Sequence, residues 1–214
     1  MGVTFTCRLD DKVASFYDVS SSDLDVVSVK QFEQYIGRRQ FNKLSSATHI
    51  AGAIFHKYFI NDKLREMGGD PANTPLVICN RFANWDYVAE IMSPSSAETM
   101  SRVNSYVATA WFPAALQGYL TIQSGNIGEA ITISTEDTDM ICATIKALMP
   151  VNIVGRGALV LGTFECIPNQ IGGVDLTGDR PKAFGAISLI KSGDTPEAIR
   201  SIVLAHQEMY ANVD

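Results

Sequence analysis

The segment from Met140 to Met149 is the feature that most restricts how this chain can fold. Its only polar residues are Thr144 and Lys146. At 100° per residue, the remaining apolar side chains point in nearly every direction around a helix. A helix that is apolar on all sides must be covered on all sides. The sequence therefore predicts a helix enclosed between two layers, with a partner molecule supplying any layer that the chain lacks.

Strand-like and helix-like segments alternate along the 214 residues, and residues 1–214 are predicted to form a single domain. This alternation is typical of an α/β fold with a mixed sheet and helices on both faces. Strands are predicted at residues 3–9, 75–80, 131–134, 157–165 and 183–191. Helices are predicted at 44–66, at 84–104 with a break, at 105–120 with a kink at Pro113, from Glu136 to Pro150, and after an N-cap at Thr195.

The charge balance argues against several classes of function. The chain has 17 basic and 23 acidic residues, giving a net charge of −6. This balance provides no electrostatic footprint for nucleic acid or an anionic membrane, and no segment is long and apolar enough to span a bilayer. The cysteines Cys7, Cys79, Cys142 and Cys166 form no close pair in the sequence, which predicts reduced thiols in a cytoplasmic protein.

The three histidines do not predict a metal site. His49 and His56 are seven residues apart on what reads as the polar, solvent-facing side of their helix, about 10 Å apart along its axis. His206 shares an apolar stripe with Ile202 and Val203, which indicates a histidine in the core or at an interface. We predict neither a metal nor a cofactor.

The predicted turn between residues 130–134 and the following helix is acidic. Its residues Glu136, Asp137 and Asp139 complement the positive end of the helix dipole, and Ser134 or Thr135 is placed to cap the helix. A purely structural role explains these carboxylates. A functional alternative makes them acids or bases in a pocket, and the residues alone leave both interpretations open.

Five stretches occur in an order that resembles the N-terminal half of a β-ketoacyl synthase. They cover most of residues 35–192 and include the family's Phe-Gly-Ala pattern. In sequence they read YIGRRQFNKLSSATHIAGA, PLVICNRFANWD, AWFPAALQGYLTIQSGNIGEAITIST, GALVLGTFE and RPKAFGAISLI.

The resemblance implies half of a thiolase-like fold and a role in fatty acid or polyketide biosynthesis. It places Asp137 where the condensing enzymes carry their cysteine, with Glu136 beside it, and the family's His-Gly-Thr and Asn-Ser-Phe-Gly motifs do not occur. Within the family, the chain is most similar to the chain-length factor, a ketosynthase-like subunit without a nucleophile. The implied partners are a ketosynthase-like subunit or a second copy of the chain, and an acyl carrier protein.

The resemblance also implies a set of residues that contact the acyl chain or the partner subunit. Core packing explains the aromatic members equally well. Two further functions stay open: an enzyme that acts on acyl thioesters through Glu136 and Asp137, and a structural remnant that only stabilises a complex. The implied tunnel or interface residues are Trp111, Phe112, Leu116, Tyr119 and Met140.

Overall fold

The fold is a mixed sheet with helices on both faces. The computed structural model describes residues 3–10, 12–36, 44–82, 84–85, 88, 112–149, 157–166, 170–171, 174–175 and 183–211. The strands are β1 (Val3–Leu9), β2 (Val13–Asp18), β3 (Asp23–Ser28), β4 (Leu76–Cys79), β5 (Ala130–Ile133), β6 (Ala158–Cys166), β7 (Gln170–Ile171), β8 (Val174–Asp175) and β9 (Ala183–Lys191). The helices are α1 (Val29–Phe32), which continues as a 3-10 turn (Glu33–Tyr35), α2 (Ser46–Lys57), α3 (Ile60–Glu66), α4 (Ala115–Ser124), α5 (Thr138–Leu148) and α6 (Pro196–Ala211).

Seven strands form the main sheet in the order β3-β2-β1-β9-β6-β4-β5. β4 is parallel to both β5 and β6, whereas β9 is antiparallel to β6 and β1. β1, β2 and β3 form an antiparallel meander at the other end. β7 and β8 pair separately as a two-stranded ladder.

Alternation along the strands divides most of the core into two large clusters, one on each face of the sheet. In β4, Leu76 and Ile78 belong to the cluster covered by α1 to α4. Val77 and Cys79 belong to the cluster covered by α5 and α6. The long strands β6 and β9 are buried along almost their whole length because both faces are covered.

The predicted α/β class and mixed sheet are confirmed, as are the strands β1, β4, β5, β6 and β9. The single helix predicted at residues 44–66 is divided into α2 and α3, because the backbone of Phe59 is left-handed, with φ 49°. Thr195 caps α6, since its hydroxyl accepts a hydrogen bond from the Ala198 N–H at 3.2 Å. α4 begins two residues after Pro113, later than predicted, and the rest of the helices predicted at 84–104 and 105–120 lies largely outside the described residues.

The single chain covers the helix at residues 140–149 on one side only, and its cover by a partner molecule stays a prediction. α5 buries Ile141, Cys142 and Ile145 against the sheet and α6. Its other side is exposed, with Met140 at 54%. The exposed side otherwise carries Ala143, Ala147, Thr144 and Lys146. Alanine is apolar but small, so the exposure of two alanines costs little free energy. The number of apolar residues in α5 therefore overestimates the apolar surface that must be buried.

Candidate functional site

The candidate site is the turn that joins β5 to α5, residues 134–137. β4 lies between β5 and β6 in the sheet. The connection from β4 to β5 contains α4, which packs on one face of the sheet. The connection from β5 to β6 contains α5, which packs on the other face. The connections therefore diverge at the carboxyl ends of the parallel strands, where α/β proteins commonly bind ligands.

Asp137 is the N-cap of α5. Its Oδ1 atom accepts hydrogen bonds from the backbone N–H of Asp139 at 2.8 Å and of Met140 at 3.1 Å. The prediction that Ser134 or Thr135 caps this helix is therefore wrong. Thr135 stabilises the turn before the helix, because its hydroxyl accepts a hydrogen bond from the backbone N–H of Asp137 at 3.1 Å. The Asp137 carboxylate is thus committed to satisfying helix N–H groups that have no partner within the helix.

The other two carboxylates of the turn are solvent-exposed and paired with arginines. Glu136 lies 2.9 Å from the Arg81 guanidinium, and its side chain is 70% exposed. Asp139 pairs with Arg200 of α6, which is itself exposed. A general acid or base with a shifted pKa is normally enclosed, and these groups are not.

The last helix, α6, holds the turn through Gln207. The Gln207 side chain accepts a hydrogen bond from the Thr138 hydroxyl at 2.6 Å and donates one to the Glu136 carbonyl at 2.7 Å. With the Arg200–Asp139 pair, these bonds fasten α6 to the first turn of α5. The backbone of the turn is therefore fixed by the chain itself.

A buried carboxylate, Glu165, lies beside a small cavity under the turn. Glu165 is fully buried at the end of β6 and accepts hydrogen bonds from the backbone N–H groups of Arg81 and Phe82, the latter at 2.7 Å. The Tyr210 hydroxyl also donates to it at 2.6 Å, and the Arg81 guanidinium lies 4.2 Å from the centre of the Tyr210 ring. Burial, followed by the proximity of Glu165, raises the pKa of Tyr210 well above its usual value. The cavity is lined by Cys79, Arg81, Thr135, Thr163, His206 and Tyr210, among others.

Sequence reasoning missed this cluster. Glu165 is separated from Arg81 by 84 residues and from Tyr210 by 45. The one available signal was a glutamate inside the apolar run of β6, since a buried carboxylate requires several hydrogen-bond donors.

The predicted core position of His206 is confirmed, because the residue is buried between α6 and the sheet. Its two ring nitrogens lie 2.9 Å from the Thr163 hydroxyl and 2.8 Å from the Ser188 hydroxyl. Burial lowers its pKa from 6.5 to about 4. The prediction that His49 faces solvent is wrong, because its side chain is buried on α2. The preceding residue, Thr48, is also buried and donates a hydrogen bond to the Asn84 side chain. His56 is exposed, as expected.

The described members of the predicted tunnel or interface set lie on both faces of the sheet. Leu116 of α4 is fully buried in the core, and Tyr119 is half-buried with its hydroxyl against Gly52 of α2. Phe112, just before α4, is 64% exposed. Met140 lies on α5, on the opposite face of the sheet. Trp111 lies outside the described residues, so the assignment of this set to an acyl tunnel or interface stays a prediction.

All four cysteines are buried, as expected for small apolar side chains, and burial raises the pKa of Cys79 to about 12. Within the described ranges, no three His, Cys, Asp or Glu side chains lie close enough to hold a metal ion. None of the helices in that part of the chain is long and apolar enough to cross a bilayer.

The sheet order and the helical layers define a ketosynthase-like fold of the thiolase type. No family model and no curated protein matches the sequence. Two solved structures are similar. One is AntDE:AntF, a type II polyketide synthase acyl-carrier protein in complex with its ketosynthase bound to the hexaketide. It aligns with a TM-score of 0.53 and 20% identity over 75% of this chain and 50% of the matched chain.

The second similar structure is the ketosynthase ApeO in complex with its chain length factor ApeC from Xenorhabdus doucetiae. It aligns with a TM-score of 0.52 and 13% identity over 80% of this chain and 74% of the matched chain. The chain thus spans half the length of the first matched chain and about three quarters of the second. At these identities the similarity shows the fold alone.

Proposed function

We propose that the chain is a non-catalytic, chain-length-factor-like subunit of a fatty acid or polyketide pathway. In this role it pairs with a ketosynthase-like chain, or with itself, and helps to shape a site for an acyl chain or an acyl carrier protein. The observation that carries the proposal is the position of Asp137. In a ketosynthase-like fold, the residue that begins the helix after β5 is a carboxylate engaged in capping that helix.

The chemistry of this turn favours a non-catalytic role. Covalent condensation needs a nucleophile that can hold an acyl thioester, and a capping aspartate cannot do so. The alternative, acid–base catalysis by Glu136 and Asp137, is disfavoured because both side chains are exposed and already engaged. The thiols do not replace the missing nucleophile, since all four cysteines are buried.

The pairing surface that we propose is the border formed by α4 and β5. Among the described residues, β5 is the last strand at its end of the sheet, and none of them pairs with its outer side, where another strand can add. Beside it, Phe112 and Ile122 are 64% and 79% exposed. No charged residue occurs between Arg102 and Glu129, in a chain that is 19% charged. Exposed aromatic and aliphatic side chains without neighbouring charges are typical of the core of a protein interface.

The identity of the partner is inferred from the similar structures. One of them contains a ketosynthase with its chain length factor, and the other a ketosynthase with its acyl-carrier protein. We therefore propose a ketosynthase-like chain as the main partner and an acyl carrier protein as a further one.

Co-expression tests this proposal. The chain is produced alone and with each ketosynthase encoded in the same genome, and the products are separated by affinity and size. We expect one ketosynthase to co-purify with the chain and to extend acyl thioesters only when the chain is present. A chain that neither binds any of these ketosynthases nor forms a dimer of its own, or that extends or hydrolyses acyl thioesters alone, contradicts the proposal.

A further inference from the structure

The strand β3 is held firmly by the chain but is hardly buried by it. Five of its six residues are exposed, and only Val27 packs against the core. It pairs with all six residues of β2 without a bulge. At its end, Ser28 caps α1 and exchanges hydrogen bonds with Gln31. Among the described residues, β3 ends the sheet and none of them pairs with its outer side, so a fixed backbone edge faces solvent.

Lys57 of α2 fixes the middle of β3 from the side of the helices. Its ammonium group pairs with the Asp25 carboxylate and lies 5.0 Å from the centre of the Phe16 ring and 5.6 Å from that of Tyr35. The ion pair and the cation–π contacts together hold this group, and the Lys57 side chain is only 16% exposed. Because the edge is already ordered, a partner that binds it loses little affinity to ordering.

The side chains of β3 differ in charge between the two faces of the strand. Asp23 and Asp25 lie on the side of α2, and Asp18 of β2 lies directly opposite Asp23. Like charges placed opposite each other are destabilising, and among the described residues no Lys or Arg forms an ion pair with Asp18 or Asp23. On the other side, Leu24 and Val26 are 66% and 53% exposed. The edge therefore combines negative charge on one face with exposed aliphatic surface on the other.

We infer that β3 binds an extended segment of another protein, in which Lys or Arg alternates with aliphatic residues. Such a segment adds to the sheet as a further strand through main-chain hydrogen bonds. Because its side chains point alternately to the two faces, its cations lie beside Asp23 and Asp25 while its aliphatic residues cover Leu24 and Val26. β3 contains no lysine, proline or bulge, the devices that commonly prevent an edge strand from pairing.

Charge complementarity favours a basic segment over a second copy of this chain. In a continuous sheet that keeps corresponding faces together, two copies of β3 place four carboxylates on one side, and each chain has a net charge of −6. The edge lies at the opposite end of the sheet from β5. The inferred site is thus separate from the proposed pairing surface and does not depend on the proposed function.

Two labelled peptides of the same composition test the inference on the full chain. One repeats Lys-Val four times, and the other repeats Lys-Lys-Val-Val twice, which places both residue types on both faces of a strand. By fluorescence anisotropy at moderate salt, we expect the alternating peptide to bind at least about tenfold more tightly. Amide hydrogen exchange is expected to slow at residues 23–28, because outward N–H groups gain acceptors.

Two substitutions in β3 locate the binding. Asp23→Lys weakens the affinity for the alternating peptide about tenfold, and Leu24→Ser weakens it about threefold, because the first reverses a charge and the second removes apolar contact. Both side chains are exposed, so both variants are expected to fold. Glu66→Lys, at the exposed end of α3, changes the net charge by the same amount as Asp23→Lys and leaves the affinity unchanged.

The opposite results overturn the inference. Equal affinity for the two peptides shows attraction to the net charge of the chain without recognition of an alternating strand. Equal losses for Asp23→Lys and Glu66→Lys, or slowed exchange only outside residues 23–28, place the binding elsewhere. A dimer of the chain alone that dissociates in Leu24→Ser assigns the edge to a second copy. None of these results bears on binding of a ketosynthase, so the proposed function is tested independently.

Discussion

The carboxylate of Asp137 accepts the backbone N–H of Met140 at 3.1 Å, three residues into the helix that it begins. The same oxygen accepts the Asp139 N–H at 2.8 Å. The side chain that the family resemblance places at the nucleophile position therefore caps α5. Asp137 contributes to the stability of this helix.

Replacing this cap gives the first prediction. Asp137→Ala lowers the free energy of unfolding by about 1 kcal/mol, because two helix N–H groups lose their acceptor. Asp137→Asn retains an acceptor oxygen and costs less. Glu136→Ala, which removes only an exposed ion pair with Arg81, changes stability by less than about 0.5 kcal/mol. Urea unfolding of the three variants measures these values. Equal losses for Asp137→Ala and Glu136→Ala contradict the assigned cap.

Gly185 provides a second prediction, on the core. A Cβ there would lie 2.6 Å from the Phe164 ring and 2.7 Å from the Ile50 side chain, both of which are fully buried. Real Cβ atoms essentially never approach so closely, so Gly185→Ala forces the sheet and α2 apart and costs about 1–3 kcal/mol. Gly193→Ala is the matched control, and thermal unfolding is the measurement. A wild-type midpoint for Gly185→Ala would contradict the packing of α2 on β9.

This packing gives a physical reason for the Phe-Gly-Ala pattern on which the family resemblance partly rested. Phe184, Gly185 and Ala186 lie in β9, and the glycine is required because Phe164 and Ile50 occupy the space of a side chain.

The third prediction concerns pH. Burial lowers the pKa of His206 to about 4 in the folded chain, against 6.5 for the free side chain. Between these values the unfolded chain binds the proton more tightly, so lowering the pH favours unfolding. This contribution to stability is complete above about pH 6.5 and is lost as the pH falls to about 4, in total on the order of 3 kcal/mol.

The comparison that isolates His206 is His206→Gln, which keeps hydrogen-bonding groups near Thr163 and Ser188. The free energy of unfolding is measured for both proteins from pH 7 to pH 4. We expect the wild type to lose more stability than the variant across this range. Parallel pH profiles would show that His206 does not titrate on unfolding.

A fourth prediction tests the proposed pairing surface. Ile122→Glu, on the exposed side of α4, weakens binding to the ketosynthase partner about tenfold or more, because it buries a charge in an uncharged interface. Leu24→Glu, on the exposed strand β3 at the opposite edge of the sheet, is the matched control and leaves the affinity unchanged. Both side chains are largely exposed, so neither change lowers the stability of the isolated chain. Equal affinity of the two variants would exclude the border formed by α4 and β5 as the pairing surface.

Much of this fold is predictable because local patterns are strong in its central elements. The long strands β6 and β9 are continuous apolar runs, and α6 begins with Thr195 and Pro196, a pair that favours a helix start. The β2–β3 hairpin was not predicted. β3 is exposed along nearly all of its length, so its sequence lacks the alternation that a half-buried strand shows.

The site was less predictable because its contacts join residues that are far apart in the sequence. An acidic helix start is visible in the sequence, but the choice of Asp137 over Thr135 as the cap depends on backbone angles of the turn. The hydrogen bonds from Gln207 to the turn and the burial of Glu165 correspond to no local pattern in the sequence. For α5, the number of apolar residues does not show how much surface has to be buried, because the two alanines on its exposed side need less cover than isoleucine does.

The mass of the complex formed with a co-expressed ketosynthase tests the central claim most directly. Size-exclusion chromatography with light scattering gives this mass, and the chain alone contributes 23.3 kDa. The account predicts a species whose mass equals that of the ketosynthase chain plus this chain, and acyl extension that depends on both. A chain that stays at 23.3 kDa beside every ketosynthase of its genome would contradict it.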